Sequence, residues 1–164
     1  MVSLLGSALF NDGNSIFMFV VLIVSMCTLE LWLGWLRALG DFLVGHIGAT
    51  LLTYCVITFG LTRGWYNIGV LWAPDFGISY GVICMLATLV ARPPTAQGKW
   101  FMFAGAVGFW LLQAPFDIPH NFTAVGHTFA LLIGLSIAGL ILLRRRQIGP
   151  TEAPTQPARD TWAK

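Results

Sequence analysis

The chain has 164 residues, of which 57% are hydrophobic and 10% are charged, and its formal net charge is +2. Soluble domains carry about 25% charged residues, so this composition excludes an ordinary soluble domain. It also excludes a disordered chain, a basic nucleic-acid-binding arm and a disulfide-stapled secreted module. Cys27, Cys55 and Cys84 lie singly inside apolar stretches and show no pairing or metal-ligand spacing. The composition leaves a polytopic membrane protein, whose first partner is the lipid bilayer.

Charged residues divide the chain into apolar stretches, and a membrane-spanning helix needs about 20 such residues. The stretches are continuous and lack the alternating pattern of a barrel strand, so they predict an all-α, polytopic membrane helix bundle. We expect one domain, residues 1–146, followed by a disordered cytoplasmic tail, residues 147–164. The five predicted transmembrane helices lie near residues 14–34, 40–61, 76–91, 99–115 and 121–143.

The positive charges orient this bundle. Arg144, Arg145 and Arg146 directly follow the last span, and such positive flanks stay in the cytoplasm. Five spans then place the C-terminus in the cytoplasm and the N-terminus outside a plasma membrane. The first ten residues lack the positive region of a signal peptide, which is unusual for a chain whose N-terminus lies outside. The pattern resembles a six-span protein without its first helix, and either the true start lies upstream or this is a natural short form.

A polar residue inside lipid is costly and needs an explanation. Ser79 lies near the outer end of the third span, between Gly77 and Gly81, whose four-residue spacing lets helices approach closely. His127 lies in the last span beside a second stripe of small residues, Gly126, Ala130 and Gly134. Taken singly, the serine is explained by a bond to its own helix, and the histidine by burial against a neighbouring helix.

Taken together, the two residues predict chemistry. Both spans run from outside to inside, so Ser79 and His127 fall at a similar depth in the outer leaflet. A serine beside a histidine is a nucleophile with its general base. His120 lies seven residues before His127, on roughly the same helix face and about 10 Å closer to the outer surface. A role in proton relay or in gating is possible for it. His46 is expected near the cytoplasmic end of the second span, away from Ser79.

These segments resemble the rhomboid family of intramembrane serine proteases, in its divergent bacterial branch. Gly77 and Ser79 look like the family's G-x-S motif, and residues 126–134 resemble its last helix. Residues 29–34 look like its acidic turn between the second and third helices. The resemblance covers about residues 5–143 and implies that the absent span is the family's first helix. It also implies Ser79 as the nucleophile and His127 as the general base.

The chain departs from the family pattern at several positions. Tyr80 follows the serine where the family commonly has glycine, and it is expected to crowd the site. The family's His and Asn that line the oxyanion hole correspond to Asn14, which can donate a hydrogen bond, and Met18, which cannot. Losing one such donor lowers the rate by roughly 100- to 1000-fold. The aromatic residue that packs on the family's histidine corresponds to Ile83.

Two functions stay open at this point. The first is a serine protease that cleaves single-span membrane substrates near the outer face. The second is a catalytically silent bundle that acts as a subunit or client-binding component of a larger membrane complex, with a partner helix in place of the absent one. A haem between His46 and His127 is disfavoured by their opposite leaflets. Transport is disfavoured because no predicted span carries an acid at mid-membrane or a broken-helix pair. The sequence contains no metal, nucleotide or other cofactor motif, and no nucleic-acid partner is expected.

Overall fold

The computed structural model describes residues 15–72, 78–93, 95–113 and 121–148, and this part of the chain is helical without any strand. The predicted all-α membrane helix bundle is confirmed. Short 3-10 helices cover Ile68–Trp72 and Leu89–Ala91. The five α-helices of the described ranges are α1 (Ser15–Leu33), α2 (Trp35–Thr62), α3 (Ser79–Thr88), α4 (Ala96–Gln113) and α5 (Phe122–Ile148).

Helices α1, α2 and α5 contain the longest apolar stretches. Among the described residues, three segments are long and apolar enough to cross a membrane: Ile16–Leu33, Trp35–Thr62 and Phe122–Gln147. The segment Ser79–Ala91 is apolar but shorter. Protein rather than lipid surrounds it, so its length is not set by the thickness of the bilayer.

Helix α3 is the centre of the bundle. It contacts α1, α2, α4 and α5, and eight of its ten residues are buried. The outer helices instead present large apolar side chains outward, such as Ile16, Leu31 and Leu112, each at least 80% exposed. An apolar outer surface around a buried central helix is the arrangement that a lipid environment favours.

The ends of two helices differ from the predicted spans. Gly34, at φ 88°, separates α1 from α2, so α2 begins at residue 35 rather than near 40. Arg37 and Asp41 therefore lie inside the helix, although their charges suggested a boundary. Helix α5 continues to Ile148, through the three arginines and the first two residues of the predicted tail. The rest of that tail lies outside the described residues.

The small residues predicted to pack helices together lie at close contacts. A Cβ on Gly81 would overlap the ring of Phe42, and one on Gly126 would overlap the ring of Tyr80. A Cβ on Gly134 would overlap the carbonyl oxygen of Cys84 and lie 2.6 Å from the Cβ of Ala87. Ala130 is fully buried in the same core. These contacts hold α3 tightly between α2 and α5.

Candidate active site

The structure brings Ser79 and His127 together from two helices. Ser79 is the first residue of α3, and His127 lies in the second turn of α5. The Ser79 Oγ and the His127 Nε2 are 2.9 Å apart, within hydrogen-bond range. His127 is only 3% exposed. The two residues are 48 positions apart in sequence, so the packing of α3 on α5 creates the pair.

The start of α3 places Ser79 in a favourable electrostatic environment. The first N–H groups of a helix have no acceptor within the helix, and the helix dipole favours negative charge there. The Val82 N–H donates to the Ile78 carbonyl at 3.0 Å, which begins the hydrogen-bond pattern of α3. An anion that forms beside Ser79 would therefore lie close to backbone donors.

The start of α5 is fixed by hydrogen bonds on either side of His127. The Asn121 Oδ1 accepts hydrogen bonds from the N–H groups of Thr123 (3.1 Å) and Ala124 (3.3 Å), as an N-cap residue does. The Trp110 Nε1 of α4 donates to the Thr128 Oγ1 at 3.3 Å. These bonds set where the helix begins and tie it to α4, and thereby position the imidazole.

Tyr80 packs against His127. The two rings meet edge to face, with their centroids 5.1 Å apart and their planes at 78°. The Tyr80 side chain is 2% exposed and fills the space that the missing side chain of Gly126 leaves. The sequence predicted that Tyr80 would crowd the site; in the structure its ring lies beside the imidazole, and the distance from Ser79 to His127 stays short.

Sequence reasoning missed this role of Tyr80, because it assigned the aromatic contact of the histidine to position 83. Ile83 is fully buried, and the aromatic ring beside His127 comes from position 80 instead. Gly126, directly before the histidine, was the available signal, since a glycine leaves room for a side chain from the facing helix.

His46 lies closer to the pair than predicted. Its ring centroid is 6.3 Å from that of Tyr80, and Phe42 stacks on its other side at 6.1 Å. Because α2 begins at Trp35, His46 falls about 16 Å along the helix, near its middle rather than its end. Tyr80 thus lies between the rings of His46 and His127.

The remaining predicted site residues are only partly visible. Asn14, Gly77 and His120 lie outside the described residues. Met18 is 4% exposed and belongs to the apolar core that includes Ile78, the residue before Ser79. The position where the family resemblance implies an oxyanion donor is therefore filled by an apolar thioether.

The fold and the site define a class: a helical membrane protein with a serine and a histidine hydrogen-bonded between its central and last helices. A family model described as rhomboid-like protein matches residues 1–147. Since the match covers most of the 164 residues, the chain belongs to the rhomboid-like family. No curated protein and no solved structure matches the chain.

Proposed function

We propose that this protein is an intramembrane serine protease in which Ser79 is the nucleophile and His127 the general base. The observation that carries the proposal is the 2.9 Å distance between the Ser79 Oγ and the His127 Nε2. Membership of the rhomboid-like family supports it.

The chemistry needs the tautomer of His127 whose proton is on Nδ1, so that the Ser79 hydroxyl donates to Nε2. As the Ser79 Oγ bonds to the carbonyl carbon of a substrate peptide, its proton passes to Nε2. The imidazolium then protonates the leaving amine, the C–N bond breaks and an acyl-enzyme remains. Water attacks this ester with His127 again as base, which releases the acid and restores Ser79.

The tetrahedral intermediate carries a negative oxygen that needs hydrogen-bond donors. Met18 cannot supply one. The N–H groups at the start of α3 can, because they adjoin Ser79 and the N-terminus of a helix favours negative charge. We assign the stabilisation of the oxyanion chiefly to these backbone donors.

The substrate class follows from where Ser79 lies. It is at the end of α3 opposite to the arginines that end α5, and the positive-inside rule places the arginine end in the cytoplasm. We propose a multi-pass protein of a bacterial plasma membrane, with its N-terminus outside and its C-terminus inside. Ser79 lies in the outer half, and the substrates are single-span membrane proteins.

Covalent labelling with a fluorophosphonate probe tests the proposal. We expect the full-length protein to be labelled and Ser79→Ala to lose all labelling, since the probe reacts only with an activated serine. Ser136→Ala is the matched control, because its exposed hydroxyl only bonds the Leu132 carbonyl of its own helix (2.8 Å). That variant should be labelled like the wild type. Absence of labelling in the folded wild-type protein contradicts the proposal.

A second function is supported by Met18, the apolar residue near the start of α3. A site with too few oxyanion donors suits a catalytically silent bundle that binds a partner membrane subunit or client protein. Fluorophosphonate labelling separates the two functions, because the silent bundle would show no labelling at Ser79. Crosslinking in the membrane should then recover the silent bundle together with its partner.

Gly126→Ala tests whether Tyr80 positions His127. The new methyl group would overlap the tip of the Tyr80 ring, which is buried beside the imidazole, so we expect the ring to shift and to disturb the position of His127. We expect fluorophosphonate labelling to slow by about 10-fold, equivalent to about 1.4 kcal/mol. Gly139→Ala, whose methyl group meets open space on the same helix, should leave the rate unchanged. Equal rates in both variants would argue against a positioning role.

A further inference from the structure

A basic cavity lies at the end of the bundle opposite to Ser79. It encloses about 340 Å³ between α4 and α5, and four residues line it: Lys99, Leu142, Arg145 and Arg146. Three of the four carry a positive charge. The acidic residues of the described ranges are Glu30 and Asp41. Neither lines the cavity, so no carboxylate of the described ranges lies among these cations.

Arg145 is held in place by groups outside the cavity. Its Nη1 donates to the Ala91 carbonyl at 3.1 Å, and its guanidinium lies 5.0 Å from the centre of the Trp32 ring. A guanidinium has five N–H donors, so this one bond leaves others for an anion. Groups at the end of α1 and in the 3-10 helix Leu89–Ala91 thus fix the direction of the Arg145 guanidinium before any ligand arrives.

The surroundings of the cavity are apolar. Leu142 forms one wall. Trp100 and Phe101 follow Lys99 on α4 and are 69% and 76% exposed, and Leu143 on α5 is also exposed. An exposed tryptophan beside a lysine is typical of the boundary between lipid tails and water. A ligand here meets positive charge at one end and hydrocarbon at the other.

We propose that this cavity binds the phosphate of an anionic phospholipid headgroup, with the acyl chains along the apolar faces of α4 and α5. The cations attract the phosphate, and the guanidinium of Arg145 contributes a directed hydrogen-bond donor. The site is separate from Ser79 and does not depend on the proposed protease activity.

Lipid binding to the purified full-length protein in detergent tests this proposal. We expect phosphatidylglycerol to bind more tightly than zwitterionic phosphatidylcholine. Each cation removed near an anionic lipid weakens binding about fivefold, so the double variant Lys99→Gln with Arg146→Gln should bind about 30-fold more weakly. Arg145 is left intact because it also holds helix ends together.

Arg144→Gln is the matched control, because Arg144 is adjacent on the same helix and does not line the cavity. It should change the affinity by less than about twofold. The proposal is overturned if Arg144→Gln weakens phosphatidylglycerol binding as much as the double variant does, or if the two lipids bind equally well. Either result would mean that the overall positive charge of this surface attracts the lipid. The charge-conserving pair Lys99→Arg with Arg146→Lys should retain binding, which excludes misfolding as the cause of the loss.

Competition with inorganic phosphate distinguishes a lipid headgroup from a free phosphate ion as the ligand of the cavity. If the ligand is a lipid, millimolar phosphate should weaken phosphatidylglycerol binding only slightly, because it lacks the contacts of the acyl chains. Full displacement by phosphate at that concentration would assign the cavity to a free anion and overturn the lipid assignment.

Discussion

Replacing His127 by alanine is expected to slow the labelling of Ser79 by about 100- to 10,000-fold, the contribution of a positioned general base. The Nε2 of His127 lies 2.9 Å from the Ser79 Oγ and is the described group that can take its proton. The second-order rate constant for fluorophosphonate labelling measures the effect directly, and it should do so without a known substrate.

His46→Ala is the control for this experiment, because His46 is equally buried at 2% exposure and lies on the other side of Tyr80. It removes the same volume and the same ring, so a loss caused by packing alone would occur in both variants. We expect His46→Ala to retain most of the labelling rate. If both variants react equally slowly, or His127→Ala reacts at the wild-type rate, His127 is not the base.

Gly134→Ala is expected to have the largest effect on stability. Its methyl group would overlap the Cys84 carbonyl oxygen and lie 2.6 Å from the Cβ of Ala87. Backbone atoms of a buried central helix cannot rotate away, so α3 and α5 must separate. Overpacking a core costs about 1–3 kcal/mol, and more where the backbone has to move. Thermal unfolding in detergent should show a lower midpoint.

Gly139→Ala provides the comparison for this variant. It makes the same chemical change five residues further along α5, where a Cβ meets nothing within 4 Å. Its unfolding midpoint should stay the same or rise, because alanine is favoured over glycine in a helix interior by about 1 kcal/mol. A similar loss in both variants would mean that glycine flexibility, and not the contact of α5 with α3, matters at position 134.

The sequence predicted the membrane bundle and the family because both depend on local patterns. Long apolar stretches define the helices, and a serine and a histidine inside them are conspicuous since lipid makes polar groups costly. The beginning of α2 was misjudged because charge was used as a boundary. Asp41 is buried within the helix, and no local pattern reveals that a charged residue lies inside a helix rather than at its end.

The role of Tyr80 could not be predicted for a similar reason. Its contact with His127 joins residues from two helices, and it depends on the space at Gly126 as much as on the tyrosine. Periodicity shows which face of a helix packs, but it does not show which facing side chain fills a particular gap. The distance between Ser79 and His127 likewise needed the packed structure.

If the protein is the protease proposed above, the shortness of α3 sets the depth in the membrane at which it cleaves. From Ser79 to Ala91 the chain rises about 20 Å. The proposed topology puts the arginine end of α5 at one edge of a hydrocarbon layer about 30 Å thick, and Ala91, which accepts a hydrogen bond from Arg145, would then lie near that edge. Ser79 would then lie about 10 Å below the opposite surface. A helical substrate would present at that level a peptide bond about seven residues inside its apolar stretch, so the depth of the substrate helix in the membrane would determine which bond is cut.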